Sequence, residues 1–532
     1  MKNEIDLPVG GSDMQKALSP EVPEKNSSIN RRKFVETMAV SAIGFTILPR
    51  HVLGGKNFVA PSDKITLAYI GVGTQGIREL LPLLANTQFQ VVAVCDPNKE
   101  AIGYKDWAKD WLKNEIRKTI QKPDWEPGGD NLIPGGRDNG KSIVDNFYAN
   151  VHPELKYNGC SAYADFRELL EKEKDLNAVK IMTPDHLHGL ISMVAMRKGK
   201  NVLVHKPLSN RLLEGKRVIA MARNNNAITH LIPWDSNGSM ETVMAWINGG
   251  AIGTLTEVHN WTNRPVWPQY PTLPVDTPPI PNGFDWNLWL GPEADRPYSP
   301  DYTNMVFRGW YDFGGGSMAD MGHYSLWTVF NALQLQGPTV IEPNLSHVCG
   351  MHDPVPYQIK NDFSFPMASS VRFKYPANGS RPPVDLCWYD GGMRPSIPSE
   401  LLEDNKELPA EGMMFVGDKG KILAGFNVQN PQIISGKKME APGKTTTDKR
   451  SQVEQTTAAL SLFIDACKTG KQYPGNFREA EFITEAINLY ALALRTGHLL
   501  KYDPVNFKIT NLSDANKWLD REYRTGWDPA TI

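Results

Sequence analysis

The sequence has little cysteine and no excess of either charge sign. Its five cysteines are Cys95, Cys160, Cys349, Cys387 and Cys467, and their wide spacing excludes a Cys-x-x-Cys zinc site and a disulfide-stapled scaffold. The 57 Lys and Arg nearly balance the 59 Asp and Glu, which leaves a formal net charge of -2. A chain so balanced offers no strongly basic surface to a polyanion, so we expect no nucleic-acid partner.

The first 60 residues are predicted to be a disordered leader that carries an export signal. Residues 1–30 are polar and show no apolar period. Arg31 and Arg32 then precede a short apolar stretch, Met38–Pro49, in the order that is typical of a bacterial twin-arginine (Tat-type) signal. The stretch is too short to span a bilayer, so we expect no stable transmembrane segment in the mature form.

This signal predicts a protein that is exported and is periplasmic or membrane-associated in a bacterium. An amphipathic helix after a chance pair of arginines is the alternative interpretation of residues 31–49. The site of signal cleavage and the question of lipid anchoring stay open, because neither an Ala-x-Ala site nor a lipobox cysteine follows the apolar stretch.

A glycine-rich turn lies between a predicted strand and a predicted helix. Residues 64–70 form an apolar, β-rich run, and residues 77–84 have helical character. A Gly-x-Gly-x-x-Gly turn in this position binds the pyrophosphate of a dinucleotide with backbone N–H groups at the start of the helix. The predicted cofactor-binding residues of the turn are Gly71, Gly73, Thr74, Gln75 and Gly76.

An acidic residue follows the next predicted strand. Residues 89–95 form that strand, and Asp96 stands twenty residues after Gly76, where a carboxylate accepts hydrogen bonds from the adenosine ribose. This spacing favours NAD over NADP as the cofactor. A glycine turn followed by an ordinary surface aspartate is the alternative.

Polar residues also follow two later strands of the same pattern. Thr183, Asp185 and His188 come after the strand at residues 178–182, and Lys206 follows the strand at residues 201–204. Because the carboxyl ends of Rossmann strands face the cofactor crevice, we predict that these four residues lie at the cofactor site. A lysine here is suited to proton transfer, and the alternative is a solvated surface lysine.

From the length of 532 residues we expect two folded domains, with some length left for a leader or insertions. We assign residues 61–233 to an NAD-binding Rossmann domain with an insertion at about 101–160, in which residues 101–122 read as one long helix. Tryptophan and proline become frequent among strand-like runs from about Trp234 onward. Residues 234–532 are therefore predicted to be a substrate and oligomerisation domain whose terminal helices pack back.

The richest group of functional residues follows three glycines at positions 314–316. If the chain is helical from Ser317, then Asp320, His323 and Tyr324 fall at i, i+3 and i+4 and share one face. An imidazole or a phenol beside a carboxylate suits removal of a hydroxyl proton as hydride leaves the same carbon. We favour His323 over Tyr324 as the base, and the alternative is that Asp320 pairs locally while His323 packs in the core.

These motifs together resemble the glucose-fructose oxidoreductase, inositol dehydrogenase and MocA (Gfo/Idh/MocA) family of Rossmann oxidoreductases. The segments that carry the resemblance are GVGTQG, CDP, ADFRELL, TPDHLH and KNVLVHKPLS, and the resemblance covers nearly the whole chain after about Pro61. It implies an α/β fold, with an N-terminal doubly wound parallel sheet and a C-terminal α+β domain that contains an open mixed or antiparallel sheet. It also implies a homo-oligomer formed through that sheet.

The resemblance assigns roles to individual residues as well. It implies that Lys206 positions the substrate and tunes proton transfer, and we predict substrate contacts for Arg308, Trp310 and His323. Two positions depart from the family pattern. His205 replaces the usual glutamate before the lysine, and Tyr324 stands where the catalytic histidine usually lies, four residues after the aspartate.

The sequence therefore predicts an NAD(H)-dependent oxidoreductase that acts on a sugar, glycoside or polyol, with NAD, including tightly bound NAD, as its cofactor. One alternative is an NAD-dependent glycoside hydrolase that works by transient oxidation and elimination, and another is a non-catalytic carbohydrate-binding relative. Asp185, His186 and His188 could suggest a metal site together with His323, but polar residues that line a cofactor crevice explain the same histidines, and we expect no metal.

Overall fold

A computed structural model describes residues 63–108, 110–155, 157–232, 238–403, 405–435, 438–439 and 452–532. The export signal predicted within residues 1–60 lies outside these ranges and stays a prediction. Across the described ranges, no helix is both long enough and apolar enough to cross a membrane.

The N-terminal half forms a six-stranded sheet in which every strand runs parallel to its neighbours. The strand order is β3-β2-β1-β4-β5-β6, the order of a doubly wound Rossmann sheet. Strands are added outward from β1 to β3 on one side and from β4 to β6 on the other. This switch point between β1 and β4 opens a crevice at the carboxyl ends of the two strands. The strands are β1 (Ile65–Ile70), β2 (Phe89–Cys95), β3 (Ser161–Tyr163), β4 (Ala178–Ile181), β5 (Asn201–His205) and β6 (Thr229–Ile232).

Helices connect these strands, and one of them differs from the prediction. The helices are α1 (Thr74–Leu84), α2 (Trp111–Thr119), α3 (Arg137–Val151), α4 (Phe166–Lys172), α5 (Asp185–Arg197) and α6 (Leu212–Asn224). The single long helix expected over residues 101–122 is wrong, because only α2 is helical there. Gly103 has a φ of +67°, which ends any helix before it, and Asp106 pairs with Arg78 of α1 instead of facing solvent.

The C-terminal half contains a ten-stranded sheet in the order β16-β15-β14-β13-β7-β12-β11-β8-β17-β18. The pair β7 and β12 is parallel and the remaining neighbours are antiparallel, so the sheet is mixed, as predicted. A hairpin of β9 and β10 stands apart from it. The strands are β7 (Leu255–Trp261), β8 (Val340–Leu345), β9 (Cys349–His352), β10 (Val355–Gln358), β11 (Ser369–Tyr375), β12 (Val384–Asp390), β13 (Gly412–Gly417), β14 (Lys421–Ala424), β15 (Gln432–Ser435), β16 (Lys438–Met439), β17 (Leu500–Asp503) and β18 (Lys508–Ile509).

The helices of this half are α7 (Gly238–Asn248), α8 (Trp286–Leu290), α9 (Gly316–Ala332), α10 (Ser399–Glu403), α11 (Gln452–Thr469) and α12 (Glu481–Thr496). The two long helices α9 and α12 cover one face of the ten-stranded sheet, and the apolar core that they share with it continues into the Rossmann half. On the central strand β11, Val371 and Phe373 are buried and alternate with more exposed polar residues, as expected for a sheet with one covered face. The same apolar cluster contains Val194 and Val204 of the Rossmann half, so one core runs through both halves.

Helix α11 packs against the Rossmann sheet although it lies near the end of the chain. Leu460, Phe463 and Ile464 belong to the apolar cluster that also contains Ile77 and Phe89. The rings of Phe89 and Phe463 are stacked with their centroids 6.5 Å apart. A helix from the C-terminal half thus completes the core of the N-terminal half.

A buried ionic group lies inside the Rossmann half. Glu79 of α1 has its Oε2 2.7 Å from Lys180 Nζ of β4 and its Oε1 2.8 Å from His205 Nδ1 of β5. Burial acts to raise the pKa of Glu79, but Lys180 and His205 outweigh it and hold that pKa well below its usual range. Burial lowers the pKa of His205 to about 4, so its imidazole is neutral at neutral pH.

Replacing Lys180 with methionine should destabilise the protein strongly. Removing one member of a buried pair leaves the other charge uncompensated, at a cost of about 3–5 kcal/mol in the free energy of unfolding. The midpoint of urea denaturation, followed by circular dichroism, measures the effect. The matched control is Lys172→Met, which breaks a more exposed pair with Glu168 and should change the free energy by about 0.5 kcal/mol or less. If both substitutions lower the free energy of unfolding equally, the buried pair stabilises the protein no more than the exposed pair does.

Candidate active site

A cleft of about 640 Å³ lies at the carboxyl ends of β1, β2, β4 and β5, facing α9 of the second half. Most of the residues predicted from the sequence meet in it. Those that line the cleft are Gly71, Gly73, Thr74, Gln75, Gly76, Asp96, Thr183, His188, Lys206, Arg308, Asp320 and Tyr324. Asp185, Trp310 and His323 do not line it and are described below.

The glycine turn has the geometry that a dinucleotide requires. Gly71 has a φ of +94°, and a Cβ there would lie 2.5 Å from the carbonyl carbon of Met182. A Cβ at Gly76 would lie 2.4 Å from the carbonyl oxygen of Gly71. Helix α1 begins at Thr74 with no acidic side chain in its first turn and no side chain capping it. A helix N-terminus without a competing anion suits a pyrophosphate, so these residues fit a bound dinucleotide.

Asp96 follows β2 and lines the cleft beside the glycine turn, at the end that we call the adenosine side because the adenosine of a dinucleotide would bind there. Its side chain is almost fully buried. Its Oδ2 accepts a hydrogen bond from Val72 N at 2.8 Å, and its Oδ1 accepts one from Asn98 N at 2.9 Å. Burial raises the pKa of Asp96 to about 6, although these hydrogen bonds act in the opposite direction. A carboxylate has about four acceptor sites in all, so one remains for a ribose hydroxyl after the hydrogen bonds from Val72, Asn98 and Tyr104.

The insertion that follows Asp96 lies against the glycine turn, which the sequence analysis did not foresee. The ring of Tyr104 contacts Gly73, where a Cβ would lie 3.0 Å from Tyr104 Cε1, and its hydroxyl donates to Asp96 Oδ2 at 3.3 Å. Thr74 Oγ1 donates to the carbonyl oxygen of Lys105 at 3.1 Å. No sequence motif marks these residues, because an irregular loop has no periodicity that reveals where it folds.

We expect Asp96 to make cofactor binding dependent on pH. Protonation of a carboxyl with a pKa of about 6 removes acceptors for the ribose, so the dissociation constant of NAD⁺ should rise by up to about tenfold per pH unit below pH 6. A carboxyl whose pKa is raised by folding favours the folded state at low pH, so through this group the protein does not lose stability as the pH falls. Calorimetric titration between pH 5 and pH 8 measures the binding.

The control for this prediction is Asp96→Asn. The amide should weaken binding at pH 8 by about 10- to 100-fold, because a hydrogen bond to a charged acceptor contributes about 1.5–3 kcal/mol. It should also remove the dependence on pH. A wild-type profile that is flat between pH 5 and pH 8 would contradict the role of Asp96.

Lys206 and Asp320 meet at the opposite end of the cleft. Lys206 Nζ donates to the carbonyl oxygen of Asp320 and, at 2.9 Å, to its Oδ1. Burial lowers the pKa of Lys206, and Asp320 offsets part of this shift. Burial acts to raise the pKa of Asp320, but Lys206 and Arg308 outweigh it and hold this pKa well below its usual range. Asp320 is therefore ionised beside a lysine whose proton is easier to remove than usual.

Arg308 also contacts Asp320 and is held from behind by Asp185. Its Nε lies 3.5 Å from Asp320 Oδ1, and its Nη1 lies 3.2 Å from Asp185 Oδ1. Asp185, at the start of α5, is buried and accepts a further hydrogen bond from Gly315 N at 3.1 Å. Asp185 thus positions Arg308 instead of facing the cleft itself.

His188 lines the cleft and contacts the loops that follow β4 and β5. Its Nδ1 lies 2.6 Å from the carbonyl oxygen of Pro207 and its Nε2 lies 2.7 Å from that of Thr183. Burial lowers the pKa of His188, and a neutral ring donates to one of these two oxygens. The ring connects the end of β4 with the turn that carries Lys206.

Tyr324, and not His323, faces Lys206. The ring centroid of Tyr324 lies 5.0 Å from Lys206 Nζ, and burial raises the pKa of its phenol. His323 is buried on another side of α9, edge-on to Trp327. Burial lowers the pKa of His323 to about 3. The preference for His323 drawn from the sequence thus falls on a residue outside the cleft.

Trp310 lies behind the wall of the cleft. It is buried in an aromatic cluster, stacked on Tyr270 with ring centroids 4.7 Å apart, and its Nε1 donates to the carbonyl oxygen of Asp301 at 2.7 Å. Besides Tyr104 and Tyr324, the aromatic side chains that line the cleft are Trp107, Trp111, Trp267, Trp289 and Phe307. Arg264 and His205 line it as well and, like these aromatic residues, were missed as lining residues by the sequence analysis.

Comparison with known families decides the classification. A family model described as an oxidoreductase family with an NAD-binding Rossmann fold matches residues 140–232. A second model, described as the C-terminal alpha/beta domain of an oxidoreductase family, matches residues 242–341 and 349–529, which is more than half of the chain. The chain belongs to the Gfo/Idh/MocA oxidoreductase family. The predicted family and the oxidoreductase class are confirmed.

Curated relatives match over short segments. Levoglucosan dehydrogenase of Pseudarthrobacter phenanthrenivorans is 27% identical over 130 residues, which are 22% of this chain and 33% of that protein. A dTDP-3,4-didehydro-2,6-dideoxy-alpha-D-glucose 3-reductase of Streptomyces violaceoruber is 32% identical over 98 residues, which are 18% and 28% of the two chains. The chain thus matches about a third or less of the length of these two relatives.

Solved structures align with most of the chain at low identity. An aldose-aldose oxidoreductase from Caulobacter crescentus aligns with a TM-score of 0.44 and 16% identity, over 82% of this chain and 99% of that one. The WlbA dehydrogenase from Bordetella pertussis, in complex with NADH and UDP-GlcNAcA, aligns with a TM-score of 0.47 and 11% identity, over 83% and 99%.

Proposed function

We propose that this protein is an NAD(H)-dependent oxidoreductase that transfers hydride to or from a hydroxyl-bearing carbon of a sugar, glycoside or polyol. The observation that carries the proposal is that Lys206, Asp320 and Tyr324 face the same cleft as the glycine turn. Bound NAD⁺ would supply the hydride acceptor, the C4 atom of its nicotinamide ring. The remaining chemistry belongs to the side chains.

Lys206 is the group that exchanges a proton with the substrate hydroxyl. Its lowered pKa makes the neutral amine accessible, and a neutral amine accepts a proton at Nζ. Asp320 remains ionised and holds Nζ in place through Oδ1. Tyr324, whose pKa is raised by burial, keeps its phenolic proton and donates a hydrogen bond to the same hydroxyl.

The remaining surface of the cleft supports a carbohydrate substrate and NAD. Trp107, Trp267 and Trp289 line it, and aromatic faces of this kind pack against the apolar faces of sugar rings. A 2′-phosphate would meet the carboxylate of Asp96, so the adenosine side favours NAD over NADP.

Removing either member of the central pair should stop catalysis while the cofactor stays bound. For Lys206→Met and Asp320→Asn we expect kcat to fall by about 10²- to 10⁴-fold, which is the usual contribution of proton transfer by a positioned side chain. Stopped-flow absorbance of the nicotinamide measures turnover, and NAD released on denaturation measures occupancy. Wild-type turnover in either variant would refute the assigned role.

Tyr324 and His323 can be distinguished by paired substitutions. Tyr324→Phe should lower kcat by about tenfold or more with little change in stability, because it removes one hydroxyl from the cleft. His323→Gln should lower the melting temperature while changing kcat little, because His323 is buried outside the cleft. Thermal denaturation and steady-state kinetics on the same samples test this. The reverse pattern would return the role of base to His323.

The nature of the product separates this function from NAD-dependent glycoside hydrolysis. The second function has specific support, because elimination needs a base and an acid near the reacting carbons, and Lys206 and Tyr324 lie side by side in the cleft. We expect native enzyme exposed to glycosides and free sugars to accumulate a keto-sugar while nicotinamide absorbance changes. Free aglycone with no net change in the cofactor would favour the hydrolase. A protein without cofactor or turnover would be a binding relative.

A further inference from the structure

The end of the cleft that contains Lys206 and Asp320 is called the substrate end here. Two hydrogen-bond donors there have no acceptor among the described residues. Arg264, in the loop after β7, lies with its Nε 3.4 Å from Asp320 Oδ2 but makes no hydrogen bond through that atom. Trp267, three residues later, is 6% exposed, and its Nε1 has no hydrogen-bond partner in the described parts of the chain. Both side chains line the cleft. A buried donor is normally paired, so these two donors indicate that the ligand supplies acceptors here.

The charges at this end of the cleft also favour an anionic ligand. Lys206, Arg264 and Arg308 carry positive charge, and Asp320 and Asp185 carry negative charge. Three cations therefore face two anions, and an oxidised nicotinamide ring would add another positive charge. Removal of the Lys206 proton would still leave the occupied site positive. An excess charge in a buried site is costly unless a counter-charge accompanies it.

Among the residues that the structure describes, the other titratable groups of this region do not supply that counter-charge. Burial lowers the pKa of His188 and that of His205, which keeps both rings neutral at neutral pH. Burial raises the pKa of Tyr324, which therefore stays protonated. Glu79 lies behind His205 and is already paired with Lys180.

We propose that the substrate carries a carboxylate, so that the site accepts a sugar acid, such as a uronate or an aldonate, in preference to the neutral sugar. The carboxylate is bound by Arg264 and Trp267, while the reacting hydroxyl faces Lys206 and Tyr324. A guanidinium is suited to this role because its planar N–H groups match the two oxygens of a carboxylate. This inference rests on the proposed function, since it names the substrate class of the same site.

Matched pairs of sugars test the inference on the holoenzyme. D-glucuronate and D-glucose form one pair, D-galacturonate and D-galactose another, and D-gluconate and D-glucitol a third. We expect kcat/KM for the best acid to exceed that of its neutral partner by about tenfold or more, the ratio that 1.4 kcal/mol of differential binding gives. Calorimetric titration of the same compounds measures binding independently of turnover.

Substitution of Arg264 identifies the group responsible. Arg264→Gln should raise KM for the acid by about 10- to 100-fold while changing kcat much less, as expected when ground-state and transition-state binding are lost together. Arg264→Lys retains the charge and should restore part of the loss. The matched control is Arg223→Gln, which removes an exposed arginine that pairs with Glu481 on the surface and should leave the acid preference intact. NAD content and circular dichroism establish that each variant is folded.

The outcomes separate this inference from the proposed function. Acids that bind no more tightly than their neutral partners, or that bind equally well to Arg264→Gln, would overturn the inference even if neutral sugars are oxidised. Arg264-dependent binding of acids without any turnover would support the inference and overturn the proposed hydride transfer. Arg264-dependent turnover of acids would support both.

Discussion

The active site depends on the contact between Lys206 and Asp320. Lys206 follows β5 of the parallel sheet, and Asp320 belongs to α9, which covers the mixed sheet. Each side chain is expensive to bury alone, and each compensates for the charge of the other. The contact exists only when the two halves of the molecule are packed together, and the shared apolar core holds them in that arrangement. The reactive centre is therefore a product of the interface between the halves.

The sequence revealed those parts of this arrangement that follow from local patterns. The strand, glycine turn, helix and following acid are close together in the chain, and their order predicts both the parallel sheet and the side of it that binds a cofactor. Lys206 was found for the same reason, because it directly follows a strand. Asp320 was found through the glycine-rich approach to a helix and through the resemblance to a known family. The structure places both residues in the cleft.

The sequence could not reveal contacts made by irregular segments or the exact rotation of a helix. Successive residues of a helix point about 100° apart, so adjacent positions such as 323 and 324 have very different surroundings. Periodicity puts both on roughly the correct side, and only tertiary packing shows that Tyr324 faces the cleft while His323 is covered. Tyr104, Arg264 and Trp267 lie on loops, where no repeating pattern indicates which partner a side chain will meet.

The position of α11 affects the order in which the chain can fold during synthesis. Phe463 covers Phe89 and belongs to the same apolar cluster as Ile77. The ribosome adds more than three hundred and seventy residues after Phe89 before it adds Phe463. Until then, one side of the parallel sheet exposes apolar surface that its own half of the chain does not cover. A nascent Rossmann half therefore lacks part of its core, and its uncovered apolar surface favours association with other chains until translation is almost finished. Deleting the end of the chain would consequently damage the beginning of the fold.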